Sequence, residues 1–255
     1  MKALILAGGR GKRMEELSDN KNKCMLTIRG KRLIEYSLDN ASEIDEVSEI
    51  VIVVGYRAES IINRFGTNYR GKRISYVIQP EPRGLVHAME CARDYIDGED
   101  FFLFLADEVI IRGRHRAMLD LFRKEALFCV CGVYPQPNLE MIKRTYAVIH
   151  GPDNRIYRLV EKPRKPFNHI MGTGNVLFSG KIFDYIDVTP INPSRQEKEL
   201  PDLIQCAVDD GEIVKLFDIC ETYINVNSPA EMKAVESDRP HMPEQPAREN
   251  SPNPL

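Results

Sequence analysis

This sequence predicts an α/β fold: a doubly wound, mostly parallel sheet in three layers, with a small β-hairpin added in its second half. Three observations carry that reading. Short apolar runs recur without polar alternation, at residues 3–7, 50–54 and 101–106, as strands buried on both faces do. Stretches with a helical apolar period separate them. The order strand, helix, strand persists over the first ~135 residues, the rhythm of doubly wound folds.

The elements follow in order. Residues 3–7 (Ala-Leu-Ile-Leu-Ala) are the first strand, ending at Gly8-Gly9. Leu33, Ile34, Tyr36, Leu38 and Ala41 share one helix face. Residues 50–54 (Ile-Val-Ile-Val-Val) are the second strand, closed by Gly55, and residues 60–65 the next helix. Residues 74–78 are the third strand. Residues 85–95 read as one helix, with apolar residues at 85, 86, 88, 89, 92 and 95. Residues 101–106 are the fourth strand, bounded by Asp107. A helix around Met118 and Phe122 and a fifth strand at 127–134 complete this half. The rhythm then changes. Residues 146–149 and 156–161 flank Gly151-Pro152-Asp153-Asn154 as the arms of a hairpin. A strand at 175–178, helices at 181–186 and 199–208, and strands at 212–217 and 222–226 follow. From Pro240 to Leu255 there are five prolines and no periodicity, which predicts a disordered or extended tail. The chain thus reads as one unit over 1–236, with halves 1–135 and 136–236, and a tail over 237–255.

Composition excludes several classes. In 255 residues, 35 basic side chains face 38 acidic ones, a net charge of −3. That is no basis for nucleic-acid binding, which calls for a basic excess. The six cysteines are scattered and form no CxxC pair, which suits reduced thiols and a cytoplasmic protein. The first apolar run is too short for a leader, and no run reaches the roughly 18 apolar residues of a membrane span.

The strongest feature is the turn after the first strand, Leu6-Ala7-Gly8-Gly9-Arg10-Gly11-Lys12-Arg13-Met14. The carboxyl end of the first strand is where such sheets bind ligands. Glycines let backbone N–H groups approach a polyphosphate. Two common phosphate motifs fail. Walker A needs Gly where Leu6 stands and Ser or Thr where Arg13 stands; GxGxxG needs Gly where Met14 stands. What remains is a glycine loop carrying three cations, Arg10, Lys12 and Arg13, which predicts phosphate binding.

This loop resembles the signature of the sugar-1-phosphate nucleotidyltransferases. The resemblance continues collinearly through Lys23-Cys24-Met25-Leu26, Gly30-Lys31-Arg32-Leu33, Gln79-Pro80-Glu81-Pro82-Arg83-Gly84-Leu85, Asp107, Glu161-Lys162-Pro163, Thr173-Gly174 and Tyr223-Ile224-Asn225-Val226-Asn227. It implies a Rossmann-like fold with a mixed, mostly parallel sheet and a hairpin subregion for the acceptor. It implies a Mg²⁺-dependent reaction of a nucleoside triphosphate with a sugar 1-phosphate that releases pyrophosphate. The members that use a pyrimidine nucleotide (UTP, dTTP or CTP) are the most similar in the spacing of Gln79 and Gly84. Homo-oligomers are frequent in the family.

The roles come with the resemblance. Leu6, Ala7, Gly8, Gly9, Gly11, Lys12 and Arg13 would hold the nucleotide, with Gln79 and Gly84 at the base. Arg13, Lys23 and Asp107 would be catalytic, and Asp107 and Asn225 would bind Mg²⁺. Ala147, Glu161, Lys162, Thr173 and Gly174 would face the acceptor. Three departures stand out. Asn22 replaces the family's usual Pro and predicts a looser backbone before Lys23. Glu108 is expected as a surface charge. Ala147 stands where Gly is usual, putting a methyl where bare backbone would face the sugar. That departure, together with Asn175 after Gly174, keeps a non-sugar phosphate or phosphonate acceptor (phosphocholine-like, with a cytidylyltransferase reaction) open. A non-catalytic nucleotide-binding regulatory subunit is the third reading, disfavoured by the retention of Arg13, Lys23, Asp107 and Lys162.

Overall fold

The computed structural model describes residues 1–9, 22–226 and 232. Its first half runs β1 (Lys2–Leu6), a small hairpin of β2 (Thr27–Ile28) and β3 (Lys31–Arg32), α1 (Leu33–Ser42), β4 (Glu49–Val54), α2 (Ala58–Phe65), β5 (Asn68–Tyr69) and β6 (Lys72–Ile78). It continues through α3 (Leu85–Cys91), α4 (Arg93–Ile96), β7 (Phe101–Leu105), β8 (Glu108–Gly113), α5 (His115–Lys124) and β9 (Cys129–Pro135). The second half adds α6 (Leu139–Ile142), β10 (Tyr146–His150), β11 (Ile156–Glu161), β12 (Ile170–Phe178), a 3₁₀ segment (Gly180–Tyr185), β13 (Ile191–Asn192), β14 (Glu197–Lys198), α7 (Leu200–Asp209), β15 (Val214–Asp218) and β16 (Cys220–Asn225).

Strands β7, β1, β4 and β6 lie side by side and parallel. The register explains the apolar runs. Leu4 sits between Val51 and Leu103, and all three belong to the core on one face. Their neighbours Ala3, Ile5, Ile50, Ile52, Phe102 and Phe104 belong to the core on the other face. Alternate residues therefore serve opposite layers, so no position can be polar. Helices α1, α2 and α5 cover one face through Ile34, Leu38, Ile61, Phe65, Met118 and Phe122. Helices α3 and α7 cover the other through Val86, Met89, Leu203 and Ile204. This is the expected three-layer α/β fold.

The second half makes the sheet mixed. Strand β12 runs antiparallel to β7 and β9, and its first residues pair with β10. The expected hairpin is present as β10 and β11. Four details differ from expectation. The fifth strand, β9, does not extend the parallel row; it pairs antiparallel with β12 and parallel with β15. The helix expected at 85–95 breaks at Ala92 (φ −93°, ψ 0°) into α3 and α4. The segment at 181–186 is a 3₁₀ turn, capped by the Ser179 side chain. Strand β8, unassigned from sequence, pairs with β16 in a separate ribbon that covers Val109 and Val226. No described helix is long and apolar enough to cross a membrane. Arg10, Gly11, Lys12, Arg13 and Met14, and the proline-rich tail, lie outside the described residues.

Candidate active site

The strand order reverses between β1 and β7, and the crevice beyond their carboxyl ends is where such sheets bind ligands. A cleft of about 400 Å³ opens there, lined by Leu6, Ala7, Gly8, Gly9, Lys23, Gln79, Gly84 and Asp107. Every described residue expected at the nucleotide is therefore brought to one place. Gly8 is needed for packing: a Cβ there would lie 2.9 Å from Gln79 Oε1. Gln79 is itself buried, and its amide Nε2 donates to Gly84 O at 3.0 Å. The two expected base-facing residues are thus bonded to each other.

Lys23 opens a 3₁₀ turn, Lys23–Met25, capped by Asn22. Asn22 Oδ1 accepts from Cys24 N at 3.0 Å, and its Nδ2 donates to Ala7 O at 3.2 Å and Tyr56 O at 2.7 Å. The expectation of a looser backbone is corrected. Asn22 holds φ at −64°, the value proline would impose, by tethering its amide to two other loops. Lys23 Nζ then meets Asp107 Oδ2 at 2.6 Å. Both are partly buried, with side-chain exposures of 11% and 32%, so their attraction is less screened than a surface pair's.

A second cleft of about 490 Å³ adjoins the first and shares Leu85, Leu105, Arg195 and Glu197 with it. It is lined by Glu161, Lys162, Thr173 and Gly174, all expected there, and by Asn225. Asp107 lines one cleft and Asn225 the other. The β8–β16 ribbon sets Asn225 opposite Glu108, and Val226 N donates to Asp107 O at 3.3 Å. The two residues expected to bind the metal therefore line adjoining clefts, one in each. Among the described residues no group of three or more His, Cys, Asp and Glu side chains converges on a metal position. One carboxylate and one amide fit Mg²⁺, which binds few protein ligands and takes the rest from phosphates and water.

Two expectations fail here. Ala147 is fully buried in the core with Ile142 and Met171, and it does not line the acceptor cleft. The preceding residue, Tyr146, does line it; strand alternation sends its neighbour's methyl to the opposite face. Glu108 is no surface charge. It is 3% exposed, and three donors converge on it: Gly174 N at 2.9 Å, Asn175 Nδ2 at 2.9 Å and Tyr223 OH at 2.6 Å. Burial pushes its carboxyl up to about 7 despite these bonds. Asn175 Oδ1 in turn accepts from His115 Nε2 at 2.9 Å. Burial holds that imidazole down at about 4, so it is neutral.

The acceptor cleft also contains residues that sequence reasoning passed over. Arg195, in the turn between β13 and β14, lies 2.8 Å from Glu199 and 3.6 Å from Glu161. Lys162 bonds the Glu161 carboxylate from a left-handed backbone position, φ 43°. Burial raises the Glu161 carboxyl, and Lys162 opposes the rise. The cleft thus presents four cationic side chains, Lys143, Arg144, Lys162 and Arg195, suited to a phosphate, and carboxylates suited to hydroxyl groups. The run Arg195-Gln196-Glu197-Lys198-Glu199 alternates charges on a short hairpin, a signal that could have drawn attention to it.

A family model described as nucleotidyl transferase matches residues 2–219. The chain is 29% identical over 245 residues to a UTP–glucose-1-phosphate uridylyltransferase, AglF, of Haloferax volcanii, covering 92% of this chain and 95% of that one. It is 30% identical over 220 residues to a glucose-1-phosphate thymidylyltransferase of Streptomyces griseus, covering 84% of this chain and 59% of that one. Among solved structures, a UDP-glucose pyrophosphorylase complexed with UDP-glucose superposes with a TM-score of 0.81 at 23% identity, over 92% of this chain and 96% of that one; at that identity the likeness is one of fold. The crevice at the strand reversal, the Lys23–Asp107 pair within it and a family match over most of the sequence converge on one conclusion: this chain belongs to the nucleotidyl transferase family and is a nucleotidyltransferase.

Proposed function

We propose that the protein joins a pyrimidine nucleoside triphosphate, UTP or dTTP, to a sugar 1-phosphate, forming a nucleoside diphosphate sugar and pyrophosphate. The observation that carries the reading is the pair of adjoining clefts, one lined by Lys23 and Asp107 and the other by Asn225, Glu161 and Lys162. Two substrates held there meet at the α-phosphorus. An oxygen of the acceptor phosphate attacks it in line, the bond to the β-phosphate oxygen breaks, and pyrophosphate leaves. That oxygen is already ionised, so no general base is required. Holding two anions together is the main task. Lys23 supplies positive charge beside the α-phosphoryl group, and Lys162 and Arg195 hold the acceptor phosphate. In this reading Arg13 neutralises the leaving pyrophosphate. Asp107 and Asn225 would hold Mg²⁺, which when bound neutralises phosphate charge. The glucose 1-phosphate enzymes among its relatives and the carboxylates of the acceptor cleft support a hexose acceptor. The six free thiols suit a reducing compartment such as the cytoplasm.

The non-sugar acceptor loses one observation that favoured it, because the Ala147 methyl points into the core. The test is pyrophosphate release with Mg²⁺ across five nucleoside triphosphates and a panel of phosphorylated acceptors. Turnover with UTP or dTTP and a hexose 1-phosphate is expected, stopped by chelation and restored by Mg²⁺. Release only with an amino-alcohol phosphate or a phosphonate would sink the sugar assignment. Nucleotide binding without release from any pair would instead mark a regulatory protein.

A further inference from the structure

We propose that His115 is a positioning residue for the acceptor: from behind the second cleft it fixes Asn175 and Glu108, and through them the stretch 172–175 that forms part of the cleft wall. The inference rests on the reading above that this cleft takes the acceptor.

That stretch lies outside the regular pairing of the sheet. The pairing of β12 with β9 stops at Gly172 and resumes at Val176, and its pairing with β7 begins at Val176. Gly172, Thr173 and Gly174 nevertheless line the cleft. Side chains take over from the ladder. Tyr146 OH donates to Thr173 O at 3.1 Å. Thr173 Oγ1 donates to Gly132 O at 2.8 Å and accepts from Asn175 N at 3.1 Å. Gly174 N reaches both Glu108 oxygens, at 2.9 and 3.0 Å. How Gly174 faces the cleft therefore depends on where the Glu108 carboxylate is held.

Two further donors hold it. Tyr223 OH lies 2.6 Å from Oε1, and Asn175 Nδ2 lies 2.9 Å from Oε2. The other end of the Asn175 amide is anchored in turn: its Oδ1 accepts from His115 Nε2 at 2.9 Å. A neutral imidazole with its proton on Nε2 can only donate there, so the amide oxygen faces the ring and the NH₂ faces Glu108. Turned over, the amide would set its oxygen against the carboxylate and its NH₂ against the His115 N–H, and both bonds would be lost. His115, Asn175 and Glu108 are all buried, where an unmade hydrogen bond is costly. His115 is the first residue of α5. Its ring packs against those of Phe102 and Phe104, and it belongs to the lining of neither cleft. It ties the wall to the helix layer without touching a substrate.

The test is steady-state kinetics of the full chain with UTP and glucose 1-phosphate in His115→Leu, His115→Gln and Asn175→Ala, with thermal unfolding of each. Leucine removes the donor and keeps an apolar body; glutamine Nε2 takes the place of the ring Nε2. His115→Leu should raise the KM for glucose 1-phosphate about tenfold, the worth of one hydrogen bond. The KM for UTP should stay within about twofold. Asn175→Ala should show the same split. His115→Gln should keep the acceptor KM within about threefold of the native one. A destabilised His115→Leu with both KM values native overturns the proposal, because the role would then be structural alone. So does an equal rise in both KM values, or an acceptor KM raised as far in His115→Gln as in His115→Leu. Should His115→Leu fail to fold, Asn175→Ala decides, and a native acceptor KM there overturns the proposal. An acceptor KM untouched by Lys162→Ala sinks instead the prior reading that this cleft takes the acceptor.

Discussion

Lys23 and Asp107 show how much one pair can carry. Lys23 Nζ is 2.6 Å from Asp107 Oδ2, and both line the cleft where the proposed function would develop phosphate charge. Removing one such preorganised charge costs roughly 10²–10³ in kcat, so Lys23→Ala and Asp107→Asn should each lose that much in steady-state pyrophosphate release; turnover within threefold of native in either would refute the assignment. Glu108 and His115 make a different prediction. Glu108 is raised from 4.5 to about 7, so its contribution to stability is full below pH 4.5 and lost as pH rises through 7. His115 is lowered from 6.5 to about 4, so its contribution is full above pH 6.5 and lost as pH falls through 4. The two slopes oppose each other between pH 4.5 and 6.5. Glu108→Gln should unmask the His115 slope: unfolding free energy should drop by up to roughly 3 kcal/mol as pH goes from 6.5 towards 4. Urea denaturation across that range measures it, and an unchanged profile would contradict the arrangement. Asp107 was legible because it ends a wholly apolar run. Glu108 was not, because its three partners come from residues 174, 175 and 223, which no local pattern connects.

At the scale of elements, the site depends on irregularities. The β12–β9 register shifts between Gly172 and Val176, and Thr173, Gly174 and Asn175 occupy the shift. A bulge of this kind re-aims the backbone, and here it turns Gly174 N toward Glu108. Gly174 must be bare: a Cβ there would collide with the Leu105 side chain, and Leu105 forms a wall of both clefts. Gly174→Ala should therefore cost about 1–3 kcal/mol of stability by overpacking and raise the KM for the acceptor more than that for the nucleotide. Thermal unfolding and paired KM measurements test this, and a normal acceptor KM in a destabilised variant would separate packing from function. The Asn22 cap makes the same point. Its residue type suggested a loose loop, but two of its three hydrogen bonds reach segments 15 and 34 residues away. The start of α4 was illegible for another reason: no Gly or Pro marks the break at Ala92.

The whole molecule places two clefts on one sheet. Strand β12 from the second half lies against β7 from the first, and the two clefts share Leu85, Leu105, Arg195 and Glu197. Among the described residues the last strand is β16, and Met232 packs on the cluster of Leu26, Ile28 and Val226. The proline-rich, aperiodic composition of residues 237–255 predicts no packed role, so a chain ending at Glu236 should keep pyrophosphate release within about twofold. A large loss would give residues 237–255 a role in the reaction.

By itself the sequence determined the layers, the strands of the parallel row and the collinear motif residues. Its determinants are local: apolar runs on doubly buried strands, a helical period between them and a glycine turn after the first strand. Only the tertiary structure decided that β9 leaves the parallel row, that Asn22 does proline's work by hydrogen bonding, that Ala147 faces the core and that Glu108 is a buried hub. Each of these depends on which distant residues become neighbours. A buried polar group is stabilised only by partners that folding brings to it, and those partners leave no periodic trace along the chain.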